Sequence, residues 1–517
     1  MILGDITRAS AASAAGNRAT LDDLFRRALM RHPQTIALAD PPNRESFTDG
    51  APRRLTYLEA DRVIFAIAAR LRRLGLQTDA IVGIQLPNTV ESVLMLLGTL
   101  RAGMIAVPLP MLWRKADAVA ALGRVGAKAL VTTSHIGAAA HCDLAMQVAA
   151  ELFPIRYVGG FGNNLPDGVV PFEDLFNSGK LDPLPAIERA GNPAAHLAVV
   201  TFDVTPQGLT PVARNHMELI AGGLSVFLES RAEQDHGVLS AIPVSSFAGI
   251  ALSVVPWLLT GGTLALHQPF DPAFFAAQSR EHRSETMVLP GQLVARLAEA
   301  GHFTKDDSAK CIVGLWRAPE RLAANAPWRE TAGLLDVLAF GEIGLLAARR
   351  GTNGKPAQIG FGPIGAPRGS PNAMLVADVA PTDAGTIALR GPMVPSHAFP
   401  PGAERSQLPH LKIDRDGFID TGYTCRSERD TRALVVTGPP AGIVGVGGYR
   451  FLLREVTTAV EGVEPGGTFA ALPDAITGYR LAGSAPDRAT LRQKLGALGL
   501  NPLVSGAFRE RGAANAA

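Results

Sequence analysis

Between Tyr57 and Pro108 the hydrophobic period changes from segment to segment, and no other feature of the chain constrains its fold so strongly. Tyr57 to Leu74 spaces apolar residues at helical intervals, and Ala80 to Leu86 reads as a buried strand. Val90 to Arg101 returns to the helical period, and Ile105 to Pro108 is strand-like again. Parallel strands need a helix-length crossover between them, so this alternation predicts an α/β fold with mainly parallel sheets flanked by helices. A similar alternation runs from His196 to about Phe340. From Gly351 to Arg432 glycine, proline and charge are more frequent, which predicts short strands in a small barrel-like subdomain. After Val436 the run GPPAGIVGVGG marks a junction. We therefore expect a large N-terminal domain over 1–438 and, after a Pro-Pro hinge, a small α+β domain over 439–517, ending in a frayed RGAANAA. No fixed-period repeat is present.

A chain of 517 residues, 47% hydrophobic and 19% charged, carries enough apolar material for more than one core. Its formal charge of +2 gives no strong field for nucleic acid. Cys142, Cys311 and Cys425 have neither metal nor disulfide spacing and read as small core residues, which suits a reducing, cytoplasmic setting. The N-terminus lacks the basic start and apolar core of a secretory signal. Gly237 to Phe270 contains no Asp, Glu, Lys or Arg, but Pro243, Pro256 and Gly261-Gly262 cut it into pieces too short to span a membrane. The expected pieces are a strand (Val238 to Pro243), a buried helix (Gly249 to Leu259) and a strand (Thr263 to Leu266).

Several motif searches end in exclusion. GFGPIG, Gly360 to Gly365, matches the dinucleotide pattern by letter, yet Pro363 lies inside it and no amphipathic helix follows to aim N–H groups at a pyrophosphate. There is no Walker loop, no H-E-x-x-H and no G-x-S-x-G elbow. His135, His141 and Cys142 lack metal-site spacing, and no metal ligand set is expected.

The informative signal is an ordered series of short stretches. Leu55-Thr56-Tyr57-Leu58-Glu59 is followed by Val82 to Asn88 (VGIQLPN), Arg101 to Leu109 (RAGMIAVPL) and Thr201 to His216 (TFDVTPQGLTPVARNH). Then come Ile242 to Gly249 (IPVSSFAG), Phe340 to Gly344 (FGEIG), Gly417 to Tyr423 (GFIDTGY) and Gly447 to Phe451 (GGYRF). In this order and spacing the chain resembles the AMP-forming acyl-CoA synthetases and related adenylate-forming ligases, from about Thr20 to Leu500. The resemblance implies a carboxylate joined to ATP as an acyl-adenylate and then passed to a thiol as a small C-terminal domain rotates. Such chemistry needs donors and cations around a triphosphate, a ligand for Mg²⁺, a grip on ribose and a hinge.

Each of these requirements meets a departure. Where the resemblance implies a Ser/Thr/Gly loop ending in Pro-Lys-Gly, Thr201 to His216 reads as a strand entering a turn-rich loop. Phe202 and Gly208 fit, but Asp203, Val204, Thr205, Pro206 and Gln207 replace the hydroxyl and glycine run. Pro206 removes an amide donor. A phosphate charge ~4 Å from Asp203 would be repelled by on the order of 4 kcal/mol at an effective dielectric of ~20. Arg214 is a stand-in cation, expected on the next helix. Phe340 and Gly341 fit the aromatic-Gly pair that stacks on adenine, whereas Ile343-Gly344 replaces the Thr-Glu of the magnesium carboxylate, leaving Glu342 as a solvated or capping residue. Tyr423 replaces the ribose aspartate, with Asp420 a poorly placed substitute. Gly438-Pro439-Pro440-Ala441 replaces the hinge arginine and fixes φ at both prolines. The last of eight lysines, Lys494, sits in a helical stretch with no Gly-Lys turn.

On the acyl side, Ser246-Phe247-Ala248-Gly249 stands where the resemblance implies a His-x-x-Gly edge to a carboxylate pocket, with Ser246 in the histidine's place. Trp316 and Arg317 replace small residues; Arg317 either attracts a carboxylate or thioester or caps a helix. The leading expectation is a member with lost or strongly impaired adenylation that binds an acyl group, acyl-CoA, a nucleotide or a protein. In an alternative active ligase, Arg214, Arg317, Glu342 and Asp420 substitute for the missing groups and ATP and Mg²⁺ are used. A further alternative is a structural subunit, as a homodimer or paired with an active paralogue.

Overall fold

The computed structural model describes residues 18–179, 183–185, 187, 189–303, 308–324 and 327–509, so the end run 511–517 and the first 17 residues lie outside the described residues. Two large sheets carry the N-terminal part. In the first the order is Gly344–Arg349, Gly333–Phe340, Cys311–Trp316, Thr286–Pro290, Val238–Ser240, Leu264–Leu266, Ile36–Ala39 and Arg54–Thr56. Its inner pairs are parallel and only the two outermost pairs are antiparallel. In the second the order is Gly208–Asn215, Leu197–Thr205, Ile105–Pro108, Ile81–Gln85, Ala129–Thr133, Tyr157–Phe161 and Val170–Pro171, parallel except for the first pair. The parallel-sheet α/β class expected from the alternating periods is the observed one.

The helix Val90–Arg101 is buried at every position, which explains why its sequence is apolar around its whole circumference. It lies so close to the helix Tyr57–Arg73 that a Cβ on Gly98 would collide with the Ile67 side chain. The two charged residues in this helix are paired: Glu91 with Arg44 and Arg53, and Arg101 with Asp22 and Asp61. Buried charges persist when paired in this way.

The uncharged run folds as expected into strand Val238–Ser240, a helix from Phe247 to Thr260 with a π-helical middle at Ile250–Val254, and strand Leu264–Leu266. Gly261, at φ 77°, ends the helix. The Gly262 carbonyl then accepts the Trp257 indole N–H at 3.0 Å and the Tyr57 hydroxyl at 2.8 Å. Among the described residues no helix is long and apolar enough to cross a membrane.

Strands Gly362–Ala366, Met374–Pro381, Thr386–Arg390, Ile419–Ser427 and Leu434–Gly438 form an antiparallel meander. A bridge between Gly360 and Ala433, just ahead of its first and last strands, draws the two edges of the meander together. The GFGPIG stretch opens this meander as a strand and not a helix. The C-terminal domain has a four-stranded sheet, ordered Tyr449–Leu452, Ile443–Val446, Gly478–Ser484 and Thr468–Asp474, with helices Leu453–Val463, Arg488–Ala497 and Pro502–Gly506. Its core includes Val444, Phe451, Val460, Leu491 and Phe508. Between it and the meander, Pro440 is buried against Gly422.

Candidate functional site

The stretch Thr201 to His216 is not a loop. Its strands Leu197–Thr205 and Gly208–Asn215 pair in antiparallel register up to Thr205 opposite Gly208, leaving Pro206 and Gln207 as the only turn residues. Thr205 is consumed within the turn: its hydroxyl donates to the Gly208 carbonyl, lies 3.0 Å from the Thr210 hydroxyl and accepts the Gln207 N–H. Asp203 therefore sits in a strand with a fixed side-chain direction, where the sequence places it in a loop.

That direction is into the cleft between the domains. One Asp203 oxygen pairs with the Arg450 guanidinium of the small domain, and the other accepts the Glu342 backbone N–H at 3.0 Å. Arg450 also lies 5.7 Å from the Tyr423 ring centroid. Burial works against its charge, but Asp203, Tyr423 and Glu342 together outweigh burial and hold the guanidinium pKa above its ordinary value. The sequence assigns no contact to Arg450; its place after the Gly447-Gly448 turn is the one signal that it projects from the small domain.

Arg214 lies on the strand Gly208–Asn215 and not on the following helix, which begins at His216 under an Asn215–Glu218 capping box. Its guanidinium is buried over the Phe247 ring at 3.7 Å and donates to the carbonyls of Glu342, Ile343 and Met393. Burial lowers its pKa to about 10. The side chain thus clamps backbone and does not face a cleft. Glu342, expected in solvent or as a cap, is 7% exposed, and its carboxylate accepts the Phe247 N–H at 2.7 Å. Burial raises its pKa, against the opposing pull of Arg317.

Phe340 is fully buried and its ring stands perpendicular to that of Tyr423 at 5.4 Å between centroids, so it offers no exposed face to an adenine. Gly341 follows at φ 57°. The Tyr423 hydroxyl donates to the Arg317 carbonyl at 3.4 Å. Asp420 is exposed and accepts the Gly422 N–H at 2.8 Å, a local turn contact. Lys494 is exposed on the helix Arg488–Ala497.

On the acyl side the Arg317 guanidinium donates to the Ser246 hydroxyl at 2.9 Å, and that hydroxyl accepts the Gly249 N–H at 3.1 Å, so Ser246 caps the helix that begins at Phe247. Ala248 and Gly249 are buried, and a Cβ on Gly249 would strike the Pro243 carbonyl. Trp316 fills the space beside Gly291 and donates its indole N–H to Asp336 at 2.9 Å, a carboxylate also held by Arg350. Among the described residues no cluster of three His, Cys, Asp or Glu side chains can hold a metal ion.

A sequence profile described as AMP-binding enzyme matches residues 25–164. A 2-hydroxy-7-methoxy-5-methyl-1-naphthoate–CoA ligase of Streptomyces carzinostaticus is 25% identical over 480 residues, covering 87% of this chain and 80% of that protein. The chain is similar to the AMP-forming adenylate-forming ligases. A sulfoacetate–CoA ligase of Cupriavidus necator is 23% identical over 406 residues, 75% of this chain and 73% of that protein. Among solved structures, the amide bond synthetase McbA of Marinactinospora thermotolerans superposes with a TM-score of 0.67 at 19% identity, over 93% of this chain and 94% of that one. Apo MbtA of Mycobacterium smegmatis gives 0.64 at 23% identity, over 95% and 91%. These two likenesses concern the fold. The residues here do not fit a triphosphate: the Asp203 carboxylate points in from the hairpin, and Arg214 is turned onto backbone carbonyls. No step through ATP or Mg²⁺ is derived from them.

Proposed function

We propose that this acyl-CoA synthetase-like ligase-family protein has lost, or nearly lost, ATP-dependent adenylation and acts as a binding homologue for an acyl group, a nucleotide or a protein. The observation that carries the reading is the Asp203 carboxylate, fixed in a zippered strand and turned into the cleft where phosphate charge would have to sit. Losing one preorganised donor commonly costs ~10² to 10³ in rate, and several lost together bring turnover toward background, though not additively. The division at 438/439 and the stiff Pro439-Pro440 link belong to the same reading, supported by Pro440 lying against Gly422. A cytoplasmic setting is supported by three unpaired cysteines.

An acyl ligand is favoured over a purely structural subunit by Arg317, which donates to Ser246 and, although it feels the charge of Glu342, makes no direct salt bridge among the described residues. A cation in that position suits the carboxylate or thioester end of such a ligand. ATP–pyrophosphate exchange with a panel of fatty and aromatic acids tests the proposal. Exchange at background, with thermal stabilisation by acyl-CoA or AMP, is the expected result. Exchange well above background restores the active ligase, and co-purification of a second protein without ligand binding points to the subunit reading.

A further inference from the structure

We propose that Asp203 is a built-in anion: its carboxylate fills a slot made by the Arg450 guanidinium and the Glu342 backbone N–H, and by filling it fastens the small domain to the large one. Both oxygens are engaged. One pairs with Arg450 and also accepts the Val204 N–H at 2.7 Å, and the other accepts the Glu342 N–H. The Asp203 side chain is 2% exposed and that of Arg450 18%. A Cβ on Gly341 would strike both, so the pair passes directly over a backbone position that only glycine fills at φ 57°.

Other contacts hold the same docking. Tyr449 accepts the Leu112 N–H at 3.1 Å, Gly499 accepts the Ala116 N–H at 3.1 Å, and the Arg321 guanidinium lies 4.9 Å from the Tyr479 ring centroid. The hairpin tip reaches the small domain as well, since a Cβ on Gly208 would touch Glu455. The segment that resembles a phosphate loop has become a strut.

The slot's chemistry is that of phosphate binding: a backbone N–H and a guanidinium converging on one point. A partly buried cation stripped of its partner is disfavoured, so removing the Asp203 charge leaves a vacancy that an external phosphate neutralises. Free phosphate is therefore kept out of this slot by the protein's own carboxylate. The inference deepens the reading above and rests on it only where it concerns the nucleotide cleft.

The test compares the full-length protein with Asp203→Asn, Asp203→Ser and Asp203→Ser combined with Arg450→Ala. Spin labels at Glu45→Cys and Arg492→Cys report the distance between domains, and thermal shift in inorganic phosphate reports the slot. The unsubstituted protein is expected to give one narrow distance and no phosphate response. Asp203→Asn keeps an acceptor for the Glu342 N–H and is expected to stay folded while its distance distribution broadens. In Asp203→Ser, phosphate is expected to raise the melting temperature and narrow the distribution again, and the Arg450→Ala combination is expected to lose both responses. A narrow, unchanged distance in Asp203→Asn overturns the latch. Phosphate stabilisation that survives Arg450→Ala overturns the slot. Neither outcome depends on exchange activity, so failure here is distinct from failure of the proposed loss of adenylation.

Discussion

The Trp316 indole occupies the volume that a Cβ on Gly291 would require. The strand Cys311–Trp316 and the helix Gly291–Glu299 approach each other at that point only because one of them carries no side chain. Gly291→Ala is therefore expected to destabilise the fold by roughly 1–3 kcal/mol through overpacking, despite alanine's better helix propensity. Urea unfolding reads the change. A paired Trp316→Phe substitution is expected to recover part of the loss, because it removes the ring atoms nearest Gly291.

His216 gives a pH dependence with a defined sign. It is 5% exposed, its neutral Nδ1 accepts the Leu21 N–H at 3.3 Å, and burial, helped by Arg189, pulls its pKa down to about 4. Between that value and the unfolded value of about 6.5 the unfolded chain binds a proton that the folded chain refuses. Its contribution is thus complete above about pH 6.5 and falls away as pH drops toward 4, by about 3 kcal/mol in all. Asp117, pushed up to about 6 by burial, titrates in the opposite sense over part of this range. The comparison that isolates the histidine is the slope of stability against pH in His216→Asn, which is expected to be flatter than in the unsubstituted protein.

Arg214 binds three carbonyls from inside the protein. Arg214→Met leaves those acceptors without donors and is expected to cost on the order of 3 kcal/mol. Arg214→Lys is expected to rescue little, because an ammonium lacks the planar fork that spans several acceptors and stacks on Phe247. Had Arg214 been a ligand cation, the same substitutions would change binding and leave the unfolding midpoint near its original value.

Ser246 joins the helix cap to Arg317. Ser246→Ala is expected to lose about 1 kcal/mol of stability from the cap and to weaken carboxylate or acyl-CoA binding by freeing the guanidinium. Ser246→Thr, which keeps the hydroxyl, is expected to retain both, as read by unfolding and by titration calorimetry.

Much of the large domain was legible because its signals are local. The fully buried helix Val90–Arg101 and the uncharged run bounded by Pro243 and Gly261 declare their burial and their ends locally, although Pro256, expected as a break, lies inside the continuous helix Phe247 to Thr260. The hairpin was not legible, since Pro206, Gln207 and Gly208 have loop composition whether two residues turn or ten. The spacing Asn215-x-x-Glu218 is the overlooked signal that the strand continues through Arg214 before a helix starts. The Asp203–Arg450 pair joins residues 247 positions apart, and no periodicity relates them. Of the two roles expected for Glu342, solvated or capping, burial removes the first, while its carboxylate does meet the first amide of the helix that begins at Phe247, a segment 95 positions away.

The two-residue turn at Pro206-Gln207 also bears on how such a protein can change. A backbone that wraps a triphosphate must keep its amides free, whereas here they are committed across the hairpin almost to its tip. Point substitutions, even a full set restoring threonine, glycine and lysine, would decorate a ribbon with no slack. If adenylation is lost as proposed, its recovery would require added length in the chain, and single steps would not supply it.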